Sequence, residues 1–205
     1  SDETSIIRSI KSGVPQGSVL GPVLYTLYTS DMPVTSNITI ATYADDTAIL
    51  ASNKSSVEAS SLVQTELNEL QQWLTRWKIS INTEKSIHVT FTLRRDDCPH
   101  LYINSSQIPK KNSVKYLGMH LDKRLTWKDH IKAKREHLNI KTTKMYWLLG
   151  SKSELSLENK VKLYKTILKP VWTYGIELWG ASSNSVEILQ RYESKTLRLI
   201  TNAPW

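Results

Sequence analysis

The sequence predicts an α+β fold, with a small antiparallel sheet backed by helices and then an all-helical unit. Three observations carry this expectation. Short apolar runs separated by turn residues occupy residues 38–52 and 86–121. A single long helical stripe lies between them. From about Leu125 onward the apolar spacing is helical throughout. The boundary therefore falls near residues 122–125, giving units 1–123 and 124–205. At 205 residues, 40% hydrophobic and 22% charged, the chain can bury a core unaided, and disordered, collagen-like and coiled-coil compositions are excluded.

Residues 1–12 read as a polar lead-in. Residues 13–22, Gly13-Val14-Pro15-Gln16-Gly17-Ser18-Val19-Leu20-Gly21-Pro22, hold three of the seven glycines and read as a backbone-driven loop. Ser18 is a candidate cap for a helix over 18–30, with Leu20, Val23, Leu24, Leu27 and Tyr28 at helical spacing; Pro22 fits its first turn and Pro33 ends the unit. Residues 38–42 and 47–52 predict two strands, with Tyr43-Ala44-Asp45-Asp46 as the hairpin tip. Val63, Leu67, Leu70, Leu74 and Trp77 predict a helix over 55–78 with one buried stripe. Ile87, Val89 and Phe91 alternate with polar residues and predict a strand over 86–92. Short strands near 101–103 and 107–109 and a strand from Val114 to Leu121 enclosing Gly118 follow.

In the second unit, Thr126 and Asp129 match a capping box before a helix with Ile131, Leu138 and Met145 on one face and Gly150 as its stop. Ser156 opens a helix with Val161, Tyr164 and Leu168 inward, expected to end at Pro170. A short segment covers 171–180. A last helix covers 185–200, with Val186, Leu189, Glu193, Leu197 and Ile200 in register. Trp73, Trp77 and Trp147 sit at core spacing.

The net charge of +8 is unevenly spread. Residues 1–102 carry 8 Lys/Arg against 11 Asp/Glu, and residues 103–205 carry 19 against 8. Acidic groups in one half suit a metal, and basic groups in the other suit phosphate, although a solvated basic surface has the same composition. The single Cys98 excludes a disulfide framework and points to a reducing, intracellular setting. No apolar run reaches the roughly 18 residues of a membrane span, so no membrane partner is expected. The lead-in carries no secretory signal, and the chain reads as a piece of something longer.

Asp45 and Asp46 are the strongest local oddity. Adjacent carboxylates at a hairpin tip repel each other, and a divalent cation such as Mg²⁺ relieves this. A turn in which Asp caps its own backbone gives the same pair. The order Gly13 to Ser18, Tyr43 to Asp46, Lys85, then Tyr116-Leu117-Gly118 narrows the choice. It resembles the reverse transcriptases of non-LTR retrotransposons, jockey-type elements above all. The likeness runs over essentially the whole chain, including Leu168-Lys169-Pro170-Val171-Trp172-Thr173-Tyr174-Gly175-Ile176-Glu177-Leu178-Trp179-Gly180.

The resemblance implies a partial polymerase palm over 1–123 and a helical thumb over 124–205. It implies that Asp45 binds metal, with Asp46 beside it, that Tyr43 packs near the primer terminus, and that Pro15, Gln16 and Gly17 contact nucleotide and template. Lys85 matches a lysine that protonates the leaving pyrophosphate, a role suited to its chemistry; an exposed strand-edge charge is the alternative. Tyr116, Leu117 and Gly118 match the primer grip, with a glycine-bulged core strand as the alternative. Lys128, Lys132, Lys134, Arg135, Lys141 and Lys144 form a basic strip expected on broadly one side of the helix, suited to a duplex backbone or to solvent. Trp172 and Trp179 are candidates for core or for base stacking.

The implied cofactor is Mg²⁺, with Mn²⁺ as the alternative. The implied partners are an RNA template, a DNA primer, their hybrid and dNTPs, in nucleus and cytoplasm; nothing indicates an oligomeric state. The family's further aspartate lies on an earlier strand, and the only candidate before Gly13, Asp2, lies in the polar lead-in. The isolated chain is therefore expected not to polymerise. A non-catalytic nucleic-acid-binding module, or a decayed element, is the alternative function.

Overall fold

A computed structural model describes residues 13–15, 17–94, 97–181 and 183–204, with 183–185 as backbone only. The polar lead-in, Gln16 and the centre of the 94–99 turn lie outside the described residues. The chain forms two compact units, Ser1–Ser86 with Asp96–Ile108, and Ile87–Arg95 with Pro109–Trp205. The mixture of helices and small antiparallel sheets is the α+β class the sequence predicts. No helix among the described residues is long and apolar enough to cross a membrane.

The first unit is organised by one helix. Helix α1 covers Leu20–Tyr28, strands β1 and β2 cover Ile38–Tyr43 and Asp46–Ala51, and helix α2 covers Ser56–Trp77. Ser55 caps α2 by accepting from the Glu58 N–H, and Lys78 ends it in the left-handed region. The expected stripe is present: Leu67, Leu70 and Leu74 are buried, with Val63 and Trp77 packed beside them. Ile49 of β2 packs against this stripe, so α2 backs the β1–β2 hairpin. Strands β3 (Tyr102–Ile103) and β4 (Ser106–Gln107) add Leu101, Ile103 and Ile108 to the same core.

Two anchors here have no apolar signature. Glu66 is fully buried and accepts from the Thr35 N–H at 2.9 Å and the Thr35 hydroxyl at 2.5 Å, fixing the segment that leads into β1. Asp31 accepts from the indole N–H groups of Trp73 and Trp77, at 2.9 and 3.2 Å. Helix α1 departs from expectation. Leu20, Val23, Leu24, Leu27 and Tyr28 are all exposed, and of these Tyr28 packs edge-on against the Trp77 ring at 4.8 Å. Only its end is tied down, by the Tyr28 hydroxyl donating to the Trp77 carbonyl at 2.6 Å.

The second unit holds strands β5 (Ser113–Tyr116) and β6 (Met119–Asp122) and helices α3 (Lys128–Lys144), α4 (Tyr146–Leu149), α5 (Leu157–Leu163), α6 (Lys169–Thr173), α7 (Ile176–Trp179) and α8 (Ser183–Thr201). Ile131, Leu138, Leu149, Tyr164, Leu168, Trp179, Leu189, Tyr192 and Ile200 form its core. Hydrogen bonds tie the β5–β6 hairpin to these helices.

Five local expectations are corrected. Residues 86–92 are not a strand; His88 makes a single parallel bridge to Lys110. The expected single strand 114–121 is a hairpin, because Leu117 and Gly118 both have positive φ (45° and 78°) and turn the chain. The capping box at Thr126 is absent. Instead the Asp122 carboxylate accepts from the Thr126 N–H and hydroxyl and from the Trp127 N–H at 2.8 Å. Pro170 does not end the α5 helix. A π-helical turn over Tyr164–Leu168 leads directly into α6, which places Pro170 in a first turn where its missing N–H costs little. Trp147, expected in the core, is 73% exposed.

Candidate functional site

The three hairpins in the described residues are separate two-stranded sheets. The first carries the paired aspartates. Strands β1 and β2 pair from Ile38–Ala51 down to Tyr43–Asp46, leaving Ala44 and Asp45 as the turn. Asp46 is therefore the first residue of β2, and Asp45 sits at the tip itself. Tyr43, Asp45 and Asp46 are all exposed. Ala44 has φ 51°, a region that costs an L-residue about 1–2 kcal/mol and that glycine tolerates freely. Strain of this kind persists where surrounding pairing imposes it, here a six-pair ladder.

Two oxygen-donor carboxylates in open solvent are the donor chemistry that Mg²⁺ or Mn²⁺ takes. No cluster of three or more His, Cys, Asp or Glu exists among the described residues. Among the described residues the tip thus offers two carboxylate ligands, and waters or substrate phosphates would add further oxygens to the shell.

Lys85 lies in a turn, not on a strand edge. Its N–H donates to the Asn82 side chain at 3.1 Å and the residue is exposed. No described hydrogen bond or ion pair joins it to Asp45 or Asp46. In the glycine-rich loop, the Ser18 N–H bonds the Pro15 carbonyl at 3.0 Å. Gly17, inside that turn, has φ 84°, with nothing within 4 Å of the place a Cβ would take. Glycine is required there by backbone conformation, not by crowding. Pro15 and Gly17 are exposed. Ser18 accepts from the Gly21 N–H at 3.1 Å, the expected cap at the head of α1.

In the second unit, the Tyr116-Leu117-Gly118 segment closes the β5–β6 hairpin. Helix α3 beside it carries the basic residues, but not as one strip. At 100° per residue, Lys128, Lys132 and Arg135 lie on one flank of the buried Ile131–Leu138 line. Lys134, His137, Lys141 and Lys144 lie on the other. The second flank borders an open groove lined by Lys134, His137, Lys141, Thr166, Pro170 and Tyr174. Burial lowers the proton affinity of Lys134, and burial with the Lys141 and Lys134 charges lowers that of His137. The ammonium groups of Lys134 and Lys141 thus place positive charge along a concave surface, which is what a polyanion meets most favourably, while His137 is held toward its neutral form and offers a ring N–H. His137 and Tyr174 escape a sequence reading because α3 and the 164–174 segment meet only in the folded unit. Trp179 is 1% exposed and its indole donates to the Tyr174 carbonyl, so it is core and does not stack on bases.

Comparison with known proteins bears on what these parts are. The family model described as reverse transcriptase (RNA-dependent DNA polymerase) matches residues 2–121. The chain belongs to that family. The matched stretch contains the β1–β2 tip, Lys85 and the β5–β6 turn. The RNA-directed DNA polymerases from mobile element jockey of Drosophila funebris and Drosophila melanogaster are 42% and 43% identical, each over 98% of this chain and 23% of the relative. The probable RNA-directed DNA polymerase from transposon X-element of Drosophila melanogaster is 42% identical over 97% of this chain and 22% of its own length. This reverse transcriptase chain is therefore jockey-like along nearly its whole length, helices included, while spanning less than a quarter of those relatives. No solved structure matches it.

Proposed function

We propose that this chain is the part of an RNA-directed DNA polymerase that carries the metal-bearing hairpin, the primer-contacting turn and the helices that hold the duplex. The observation that carries the reading is the pair Asp45 and Asp46, exposed at a strained hairpin tip in a chain of the reverse transcriptase family. In this reading residues 1–123 belong to a palm and 124–205 to a thumb. Asp45, with Asp46 beside it, holds Mg²⁺ or Mn²⁺. The bound ions supply activation of the primer 3′-hydroxyl and charge stabilisation on the leaving pyrophosphate.

The chain's own groups do the remaining work. Tyr43 packs near the primer terminus, and Pro15, Gln16 and Gly17 pass close to the incoming dNTP and the template, where a side-chain-free Gly17 lets a base pair approach the backbone. Lys85, exposed and able to swing, gives a proton to the pyrophosphate oxygen that loses its bond to the nucleotide. Tyr116, Leu117 and Gly118 meet the primer strand. Lys141 and Lys144, with Lys134 and His137, bind hybrid phosphates along the groove, and Lys128, Lys132 and Arg135 offer a second, separate line of cations. The same groove also supports a second reading, nucleic-acid binding without catalysis.

One experiment separates the two. Residues 1–205 replace the matching segment of the Drosophila melanogaster jockey polymerase, and primer extension on an RNA template is followed with Mg²⁺. We expect extension by this chimera. Asp45→Asn should lower it by about 10²–10³-fold or more, the worth of several kcal/mol of metal stabilisation, with hybrid binding retained. Equal synthesis by both forms would refute the catalytic reading.

A further inference from the structure

Tyr174, which no role above uses as more than groove lining, joins the cationic groove to the 116–118 turn. Its phenol donates to the Leu117 carbonyl at 2.8 Å, across 57 residues of sequence. Its ring fills the space beside Gly118, where an added Cβ would lie 3.4 Å from Cε1. The Lys134 ammonium stands 5.0 Å above the ring centroid, a cation–π contact. The residue's own backbone is fixed from the core side, because the buried Trp179 indole donates to the Tyr174 carbonyl at 3.1 Å. Gly175 then turns the chain with φ 71°, and a Cβ there would meet the Met119 sulfur at 2.8 Å.

The turn needs such a support. Leu117 occupies the left-handed region at φ 45°, which leucine resists, and a four-pair hairpin leaves other turn conformations open to it. Tyr174 is 51% exposed. A side chain half in solvent that still reaches back to one turn carbonyl does little core packing. It selects the conformation of that turn.

We propose that Tyr174 is a positioning residue for the primer 3′ end: it holds the Tyr116–Gly118 turn in its contacting conformation, with Lys134 and Gly175 holding Tyr174. This rests on the reading of that turn as the primer-contacting element. Occupation of the groove by a duplex phosphate next to Lys134 and proper seating of the primer end are thereby linked through one aromatic ring.

The test uses the full 205-residue chain and two fluorescent RNA–DNA hybrids of equal length. One has a recessed DNA 3′ end. The other is a dumbbell closed at both ends. The wild type should prefer the recessed hybrid. Tyr174→Phe, which removes only the hydroxyl, should weaken recessed-end binding roughly 2- to 10-fold, the range of one net hydrogen bond. Dumbbell binding should stay unchanged, and the melting temperature should fall by no more than the few degrees that one net hydrogen bond is worth. Retained preference in Tyr174→Phe would overturn the proposal and leave the reading of the turn standing. Loss of dumbbell binding together with the preference, or a much larger fall in melting temperature, would make Tyr174 merely structural and overturn it too. Absence of any preference in the wild type would overturn the reading of the turn, and the proposal with it.

Discussion

The His130 imidazole accepts the His120 backbone N–H through Nδ1 at 3.2 Å, tying strand β6 to helix α3. His130 is fully buried, beside the rings of Trp127 and Trp179. Burial first, then the Lys134 and His120 charges, pushes its pKa down to about 4 from the ordinary 6.5. The bond to His120 also needs Nδ1 without a proton. The ring must therefore stay neutral in the folded chain.

A stability-versus-pH profile follows with a definite sign. Between about pH 6.5 and about pH 4 the unfolded chain takes up a proton at His130 that the folded chain refuses. His130 thus costs nothing above pH 6.5, and stability falls as pH drops through that window, by on the order of 2–3 kcal/mol. Urea unfolding at pH 7.5, 5.5 and 4 measures this. His130→Asn, which retains an acceptor for the His120 N–H, should flatten the profile in that window. An unchanged profile in the variant would assign the loss to other groups.

The division of the basic residues predicts a difference between the two flanks of α3. Hybrid binding by the groove flank should lose about 0.9 in the slope of log affinity against log salt for each phosphate contact removed. Lys141→Gln and Lys144→Gln should each show that loss. Titrations of an RNA–DNA hybrid at several salt concentrations measure the slope, with Lys132→Gln on the opposite flank as comparison. If Lys132→Gln alone changes the slope, the groove is not the binding surface.

The parts that were legible in the sequence are those written in local spacing. Leu67, Leu70 and Leu74 announce the buried face of α2, and the Tyr43–Asp46 tip announces its hairpin, because each signal lies within one or two turns of chain. Ser55 and Ser156 cap their helices by the ordinary side-chain rule, accepting from Glu58 and Asn159. The misreadings occur where a local signal has two outcomes. Gly118 suits a bulge or a turn, and positive φ at its neighbour Leu117 decided for the turn. Pro170 suits a helix end or a first turn, and the π-helical Tyr164–Leu168 decided for the latter. Leu20, Val23, Leu24 and Leu27 have core spacing, yet spacing does not say whether a partner is present, and here the face is exposed. The Lys134–Tyr174–Leu117 arrangement was out of reach altogether. It joins three segments, 17 and 40 residues apart in sequence, and no local spacing relates them.

The claim that the β1–β2 tip holds a divalent cation is the one on which the catalytic reading depends. Titrating the 205-residue chain with Mn²⁺ and following amide relaxation by NMR tests it directly, since a paramagnetic ion broadens the signals nearest to it. We expect broadening to begin at Tyr43, Ala44, Asp45 and Asp46, to be reversed by competing Mg²⁺, and to vanish from the tip in Asp45→Asn/Asp46→Asn. Broadening that begins elsewhere, or that persists at the tip in the double variant, would contradict the assignment.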